Sequence, residues 1–133
     1  DRGETNLLLG MGSFWEGADF AQQDKVIEII TRLPFDNPKD PFYQKIESLF
    51  SKQGKSTFDS YSLPMMVLRF KQAIGRAQRR PEQRSAILLM DNRPLVKSYG
   101  KLFIKEVSQE VTLRHAPFKQ IKEDIQEFLE KEC

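Results

Sequence analysis

Three short apolar runs, at residues 5–9, 26–31 and 85–90, alternate with longer segments whose apolar residues recur at helical spacing. The runs are strand-length and rich in Leu, Ile and Val, so they read as strands. Strands alternating with helices build a parallel sheet covered by helices, and the loops after the strands then collect along one edge, where ligands bind. The expected fold class is therefore α/β, with a small, mostly parallel sheet flanked by helices. A sheet this small is part of a domain. The chain opens Asp1-Arg2-Gly3-Glu4 without an initiating methionine, which fits a piece of a longer protein.

Local signals place the other elements. Gly10, Gly12 and Gly17 mark a loop after the first strand. Pro34, Pro38 and Pro41 mark an irregular connection after the second. Asp40 can cap a helix with Pro41 at its first position, running to about Gln53 and burying Phe42, Ile46, Leu49 and Phe50. Residues 54–61 read as a loop. Ser62 can cap the next helix, with Pro64 in its first turn; the helix reaches about Arg79 and Pro81 stops it. Residues 94–107 read as helical. At 117–132, Phe118, Ile121, Ile125, Phe128 and Leu129 share a ~100° stripe, which reads as core packing, with docking of a partner helix as the alternative.

Composition narrows the class. The 133 residues are 39% hydrophobic and 30% charged, as in one soluble globular domain. No apolar run approaches the ~20 residues of a membrane span, and no signal peptide is visible, so no membrane partner is expected. A single cysteine, Cys133, rules out an internal disulfide and a cysteine-rich metal site, and the cytosol is the natural compartment. The lone His115 lacks companions that would make it a ligand, so no metal site is expected in this piece.

Charge is local. The net charge is only +2, yet Arg69, Lys71, Arg76, Arg79, Arg80 and Arg84 fall in one stretch opposed by Glu82 alone. On a helix through 63–80, Arg69, Gln72, Arg76, Arg79 and Arg80 lie within about 100° of one another. Val67, Phe70, Ile74 and Ala77 lie opposite, bordered by Met66 and Ala73. One reading is a solvated basic face. The other is a phosphate site: every cation on the stripe is arginine, whose planar fork matches phosphate in a bidentate way. Like charges clustered without interleaved acid also favour an anionic partner, whether a nucleotide or a nucleic-acid backbone.

The residues Gln72-Ala73-Ile74-Gly75-Arg76-Ala77-Gln78-Arg79 resemble motif VI of superfamily 2 helicases, Q-x-x-G-R-x-x-R. The block from Gly12 through Ser13-Phe14-Trp15-Glu16-Gly17-Ala18-Asp19 to Phe20 resembles their motif V in its DinG-like form. Leu33-Pro34-Phe35, Pro38, Asp40-Pro41, Tyr61-x-Leu63-Pro64, Asp91-x-Arg93 and Tyr99-Gly100 match the same family in order. The chain thus resembles the second RecA-like motor domain of DinG/XPD-like DNA helicases over about 100 residues. Three departures stand out: Ala21-Gln22 where the family usually has Pro-Gly, Gln78 in place of an apolar residue, and Met66 in place of a common Ala.

The resemblance implies a partial RecA-like domain that works only with a first RecA-like domain carrying the phosphate loop and the Mg²⁺ ligands. ATP would lie between the two. Arg79 would be the arginine finger, Arg76 a second phosphate contact, and Gln72 a group positioning the γ-phosphate and attacking water. Glu16, Gly17 and Asp19 would serve the nucleotide edge of the cleft. Gly12, Ser13 and Arg69 would meet single-stranded DNA. The implied activity is ATP-dependent DNA unwinding, with a place in DNA repair, and the piece alone would be inactive. Two alternatives stand beside it: an ATP-binding regulatory module of a DinG-like nuclease that does not unwind, and a non-catalytic basic module that binds nucleic acid.

Two decoys fall away. Gly54-Lys55-Ser56-Thr57 imitates the end of a phosphate loop, but Leu49 stands where the first glycine is needed, and a helix precedes it. Glu16 and Asp19 lack the supporting groups of a hydrolytic carboxylate pair. Phe14 and Trp15 read as buried against the sheet, with base stacking as the alternative.

Overall fold

The computed structural model describes residues 22–130. The expected strand at 5–9, the block 12–20 and positions 131–132 of the expected C-terminal helix lie outside the described residues. β1 (Lys25–Ile30) and β2 (Arg84–Leu89) pair in parallel, each displaced by one residue from the run read in the sequence. Val26 pairs with Ser85, Glu28 with Ile87 and Ile30 with Leu89. Alternation along β1 turns Val26 and Ile30 inward and leaves Ile27 and Ile29 about half exposed.

Helix α1 (Pro41–Lys52) begins as the sequence indicates, with Asp40 Oδ1 accepting from the Phe42 N–H at 2.8 Å and the Tyr43 N–H at 3.2 Å. At its end Gly54, at φ +67°, sends its N–H to Ser51 O, and Lys55 sends its N–H to Phe50 O. That pair of bonds is a Schellman closure, so Gly54-Lys55-Ser56-Thr57 is a helix C-terminus and not a phosphate loop. The expected burial of this helix is corrected: Phe42 and Leu49 are exposed, and Ile46 and Phe50 are only partly covered. Helical periodicity marks which face is apolar, but α1 lies at the periphery. It is held there by the Tyr43 hydroxyl, 2.9 Å from Ser62 Oγ, and by the rings of Tyr43, Phe50 and Tyr61.

Residues expected to be a loop contain a π-helical turn, Phe58–Ser62, that runs straight into α2 (Leu63–Ala77). Ser62 therefore has helical angles and makes no capping bond; its hydroxyl serves Tyr43 and the Thr57 carbonyl instead. The turn is pinned by Phe58, whose ring packs on Phe35 and Tyr99 at centroid distances of 5.8 and 5.4 Å. The apolar face of α2 is the one read from the helical wheel: Met66, Val67, Phe70, Ala73, Ile74 and Ala77 are all buried. They meet Ile30 from β1, Leu33 from the connection after it, Ile87 and Leu89 from β2, and Phe103 and Val107 from a later helix. The Phe70 and Phe103 rings meet edge to face at 5.0 Å.

The continuous helix expected at 94–107 is two helices, α3 (Arg93–Val96) and α4 (Gly100–Val107), separated where Lys97 turns extended. The break folds α4 back so closely that a Cβ on Gly100 would lie 1.8 Å from the Pro94 carbonyl oxygen. Gly100→Ala is expected to cost at least about 2 kcal/mol, because backbone rather than a yielding side chain blocks the methyl. Thermal denaturation checks it; an unchanged midpoint would mean that the break is not needed.

Helix α5 (Phe118–Glu130) rests against β2, where the Arg84 guanidinium donates to the Phe128 carbonyl at 2.7 Å. Among the described side chains, its apolar stripe is not core. Phe118 and Phe128 are exposed, and Ile121 and Ile125 are half-buried. The expectation of core packing is corrected, for the same reason as at α1: an amphipathic period says nothing about what lies opposite.

Candidate active site

The outward face of α2 carries Gln72, Gly75 and Arg76, the first two exposed and Arg76 half-buried. Packing of the opposite face against the sheet aims Gln72 and Gly75 away from the core and leaves Arg76 at the border. The stripe does not continue on the helix to Arg80. The last helical residue is Ala77, and Gln78 is extended at φ −125°, ψ 93°. Arg79 and Arg80 therefore leave from a connecting segment rather than from the helix face. Pro81 explains part of this, since its ring would clash with the Ala77 carbonyl in a continuing helix. The Arg79 N–H, which a longer helix would direct to Gly75, goes instead to the Gln83 side chain at 2.7 Å.

The structure also redistributes the charge. Arg69 pairs with Asp36 at 2.7 Å and donates to the Pro34 carbonyl. Lys71 pairs with Glu106 at 3.1 Å and Glu110 at 3.6 Å. Arg80 pairs with Asp24 at 2.9 Å. The acids missing from the 69–84 stretch are thus supplied by residues distant in sequence, so the cluster is less uncompensated than the sequence suggests.

Arg76 has a different neighbour, Glu28, from the inward side of β1. Burial pushes the Glu28 carboxyl up, and the Arg76 charge offsets part of that. Glu28 Oε2 is buried and takes no hydrogen bond from the described residues. An acid at the middle of an apolar strand, in phase with buried Val26 and Ile30, was the available sequence signal for this residue. Gln83, buried to 3% exposure, had no such signal, because a glutamine in a turn is ordinarily solvated.

Below the site, Asp91 joins the ends of both strands. Its carboxylate accepts from the Leu33 N–H at 2.8 Å and from Arg93 Nε at 2.8 Å, while Arg93 also donates to the Leu33 carbonyl. Burial works to raise the Asp91 carboxyl, but the Arg93 and Leu33 hydrogen bonds and the Arg93 charge outweigh it and hold it at about 2. The Arg93 guanidinium lies over the Phe35 ring at 5.3 Å, so the clamp also gathers the aromatic cluster that pins the π turn.

Gly12, Ser13, Glu16, Gly17 and Asp19 lie outside the described residues. Among the described residues there is no cluster of His, Cys, Asp or Glu that could hold a metal ion, and no helix long and apolar enough to cross a membrane.

A parallel two-stranded sheet backed by helices, with an arginine-bearing helix crossing it, is a partial RecA-like α/β unit. Residues 1–110 match the model of the helicase C-terminal domain family. The chain belongs to that family, in its DinG/XPD-like branch. It is 40% identical over 98 residues to the 3'-5' exonuclease DinG of Bacillus subtilis (strain 168), covering 74% of this chain and 10% of the relative. It is 35% identical over 98 residues to the ATP-dependent DNA helicase YoaA of Escherichia coli (strain K12), covering 74% and 15%. Against the 3'-5' exonuclease DinG of Staphylococcus aureus (strain COL) it is 36% identical over 122 residues, 92% of this chain and 12% of the relative. The chain thus spans a small part of the length of each of these relatives. No solved structure matches it.

Proposed function

We propose that this chain is the second motor domain of an ATP-dependent DNA helicase and supplies the arginine side of an ATP site completed by a first RecA-like domain. Arg79 acts as the arginine finger, Arg76 as a second phosphate contact, and Gln72 orients the γ-phosphate and the attacking water. Glu16, Gly17 and Asp19 serve the nucleotide edge, and Gly12 and Ser13 approach a DNA phosphate through the backbone. A phosphate reaching Arg69 would have to displace Asp36, so Arg69 is left out of the proposed DNA contact. ATP binding draws the two domains together, hydrolysis releases them, and the cycle moves single-stranded DNA.

Gly75 carries this reading. A glycine within a helix costs about 1 kcal/mol relative to alanine. Packing does not require it here, since an added Cβ would meet nothing within 4 Å among the described residues. A bare backbone between Gln72 and Arg76 suits close approach by a ligand from outside the chain. The donor set is also selective: guanidiniums and a carboxamide suit phosphate oxygens, while the Mg²⁺ that accompanies ATP needs carboxylates, which the first domain would bring.

The names of the DinG relatives favour a second reading, in which the same ATP module regulates a fused nuclease. A nuclease domain elsewhere in the intact protein, together with absence of unwinding, would select it. The basic-module reading loses ground, because Arg69, Lys71 and Arg80 are paired within the chain.

DNA-stimulated ATP turnover of the intact protein tests the proposal. Arg76→Ala is expected to lower it roughly 100-fold or more, whereas Lys71→Ala, from the neighbouring face, changes it little. Equal losses in the two variants would reduce the site to general basic charge.

A further inference from the structure

We propose that Gln83 is a positioning residue for Arg79, holding the backbone from which that side chain departs by tying it to the carbonyl of Gln23. The inference rests on the reading of Arg79 given above. Gln83 stands in the turn between α2 and β2, yet it is only 3% exposed. Its Oε1 accepts the Arg79 N–H at 2.7 Å, and its Nε2 donates to the Gln23 carbonyl at 2.8 Å. Its own N–H closes the turn on the Arg80 carbonyl at 3.1 Å. A single carboxamide thus uses its acceptor on one side and a donor on the other, a combination that a carboxylate or an alkyl chain does not offer.

The first bond, together with Pro81, sets how the chain leaves α2. In a continuing helix the Arg79 N–H would bond to Gly75 O and Arg79 would sit on the helix face. With Gln83 as its acceptor, the chain leaves the helix extended at Gln78 and Arg79 stands off the helix face. The second bond sets where that exit is anchored. Gln23 lies just before β1 and three residues after Phe20, the last residue of the block that resembles motif V. Gln83 therefore links the segment bearing Arg79 to the chain that follows that block, and Arg80 reinforces the tether through Asp24 at 2.9 Å. An arginine finger acts only when its guanidinium meets the developing charge, and misplacement by about 1 Å can cost about 100-fold in rate.

The test uses the intact protein with single-stranded DNA, measuring kcat and KM for ATP. Gln83→Ala should lower kcat roughly 10- to 100-fold while KM changes less than about threefold. In an Arg79→Ala background the same change should alter residual turnover less than about twofold, because the residue acts through Arg79. An undiminished loss in that background would mean a purely structural role and overturn the proposal. If Arg79→Ala cuts turnover to a small residue but Gln83→Ala leaves kcat intact, the tether alone fails. If Arg79→Ala leaves turnover intact, the reading of Arg79 fails and the tether with it. Should the alanine variant not fold, Gln83→Glu is informative. Its protonated carboxyl can both accept and donate, so its kcat relative to the native protein should rise as pH falls, and a flat ratio would overturn the proposal.

Discussion

Arg79→Ala in the intact protein is expected to cut DNA-stimulated ATP turnover to a small but measurable residue while leaving nucleotide affinity nearly unchanged. An arginine finger stabilises charge on the transferring phosphoryl group, and its removal costs about 10³- to 10⁵-fold in rate. On the proposed reading, ground-state affinity would depend mainly on the phosphate loop and metal of a first domain, so it should move little. The segment that carries Arg79 runs from the end of α2 to the start of β2 and is tied at Arg79 N–H by Gln83, so the loss should come from the missing guanidinium and not from local unfolding. Steady-state turnover together with titration of a fluorescent nucleotide separates the two quantities. Turnover within about tenfold of the native value would remove Arg79 from the role.

The second large effect concerns stability. Asp91→Ala should destabilise the fold by roughly 3 kcal/mol, because it strands the Arg93 guanidinium and the Leu33 N–H together. In a domain of this size that loss lowers the melting temperature by roughly 10 °C. The side chain of Asp91 is 5% exposed, so solvent screening does not rescue it. The pH dependence has a definite sign. The folded carboxyl is held at about 2 against an ordinary 3.8, so its contribution is fully present above about pH 4 and is lost as pH falls toward 2. That contribution is about 2 kcal/mol. The stability difference between the native protein and Asp91→Asn should therefore shrink over that window. A difference that stays constant from neutral pH to about pH 2 would show that the charge of Asp91 is not what the clamp uses.

Much of the scaffold was legible. The positions of β1 and β2 came from apolar runs, each to within one residue, because a strand flanked by helices is apolar along most of its length. The start of α1 came from Asp40 and Pro41, because capping is a local bond made within three residues. The buried face of α2 came from periodicity, because every inward position of one helix meets the same core. The illegible parts depend on residues distant in sequence. Whether Phe42 or Phe118 is covered depends on what lies opposite, and periodicity is silent about that. The break at Lys97 and the π turn at Phe58 depend on the cluster of Phe35, Phe58 and Tyr99, whose members lie up to 64 positions apart.

The order of residues alone determined the α/β class, the helicase C-terminal family and the presence of Gln72, Gly75, Arg76 and Arg79 at helical spacing, since each depends on local pattern. Only the tertiary structure decided which arginines stay on the helix, which are matched by distant acids, and how Arg79 is presented. The physical reason is that a backbone N–H past a helix end takes whatever acceptor the fold brings to it. Here that acceptor is Gln83, a residue no local pattern singles out.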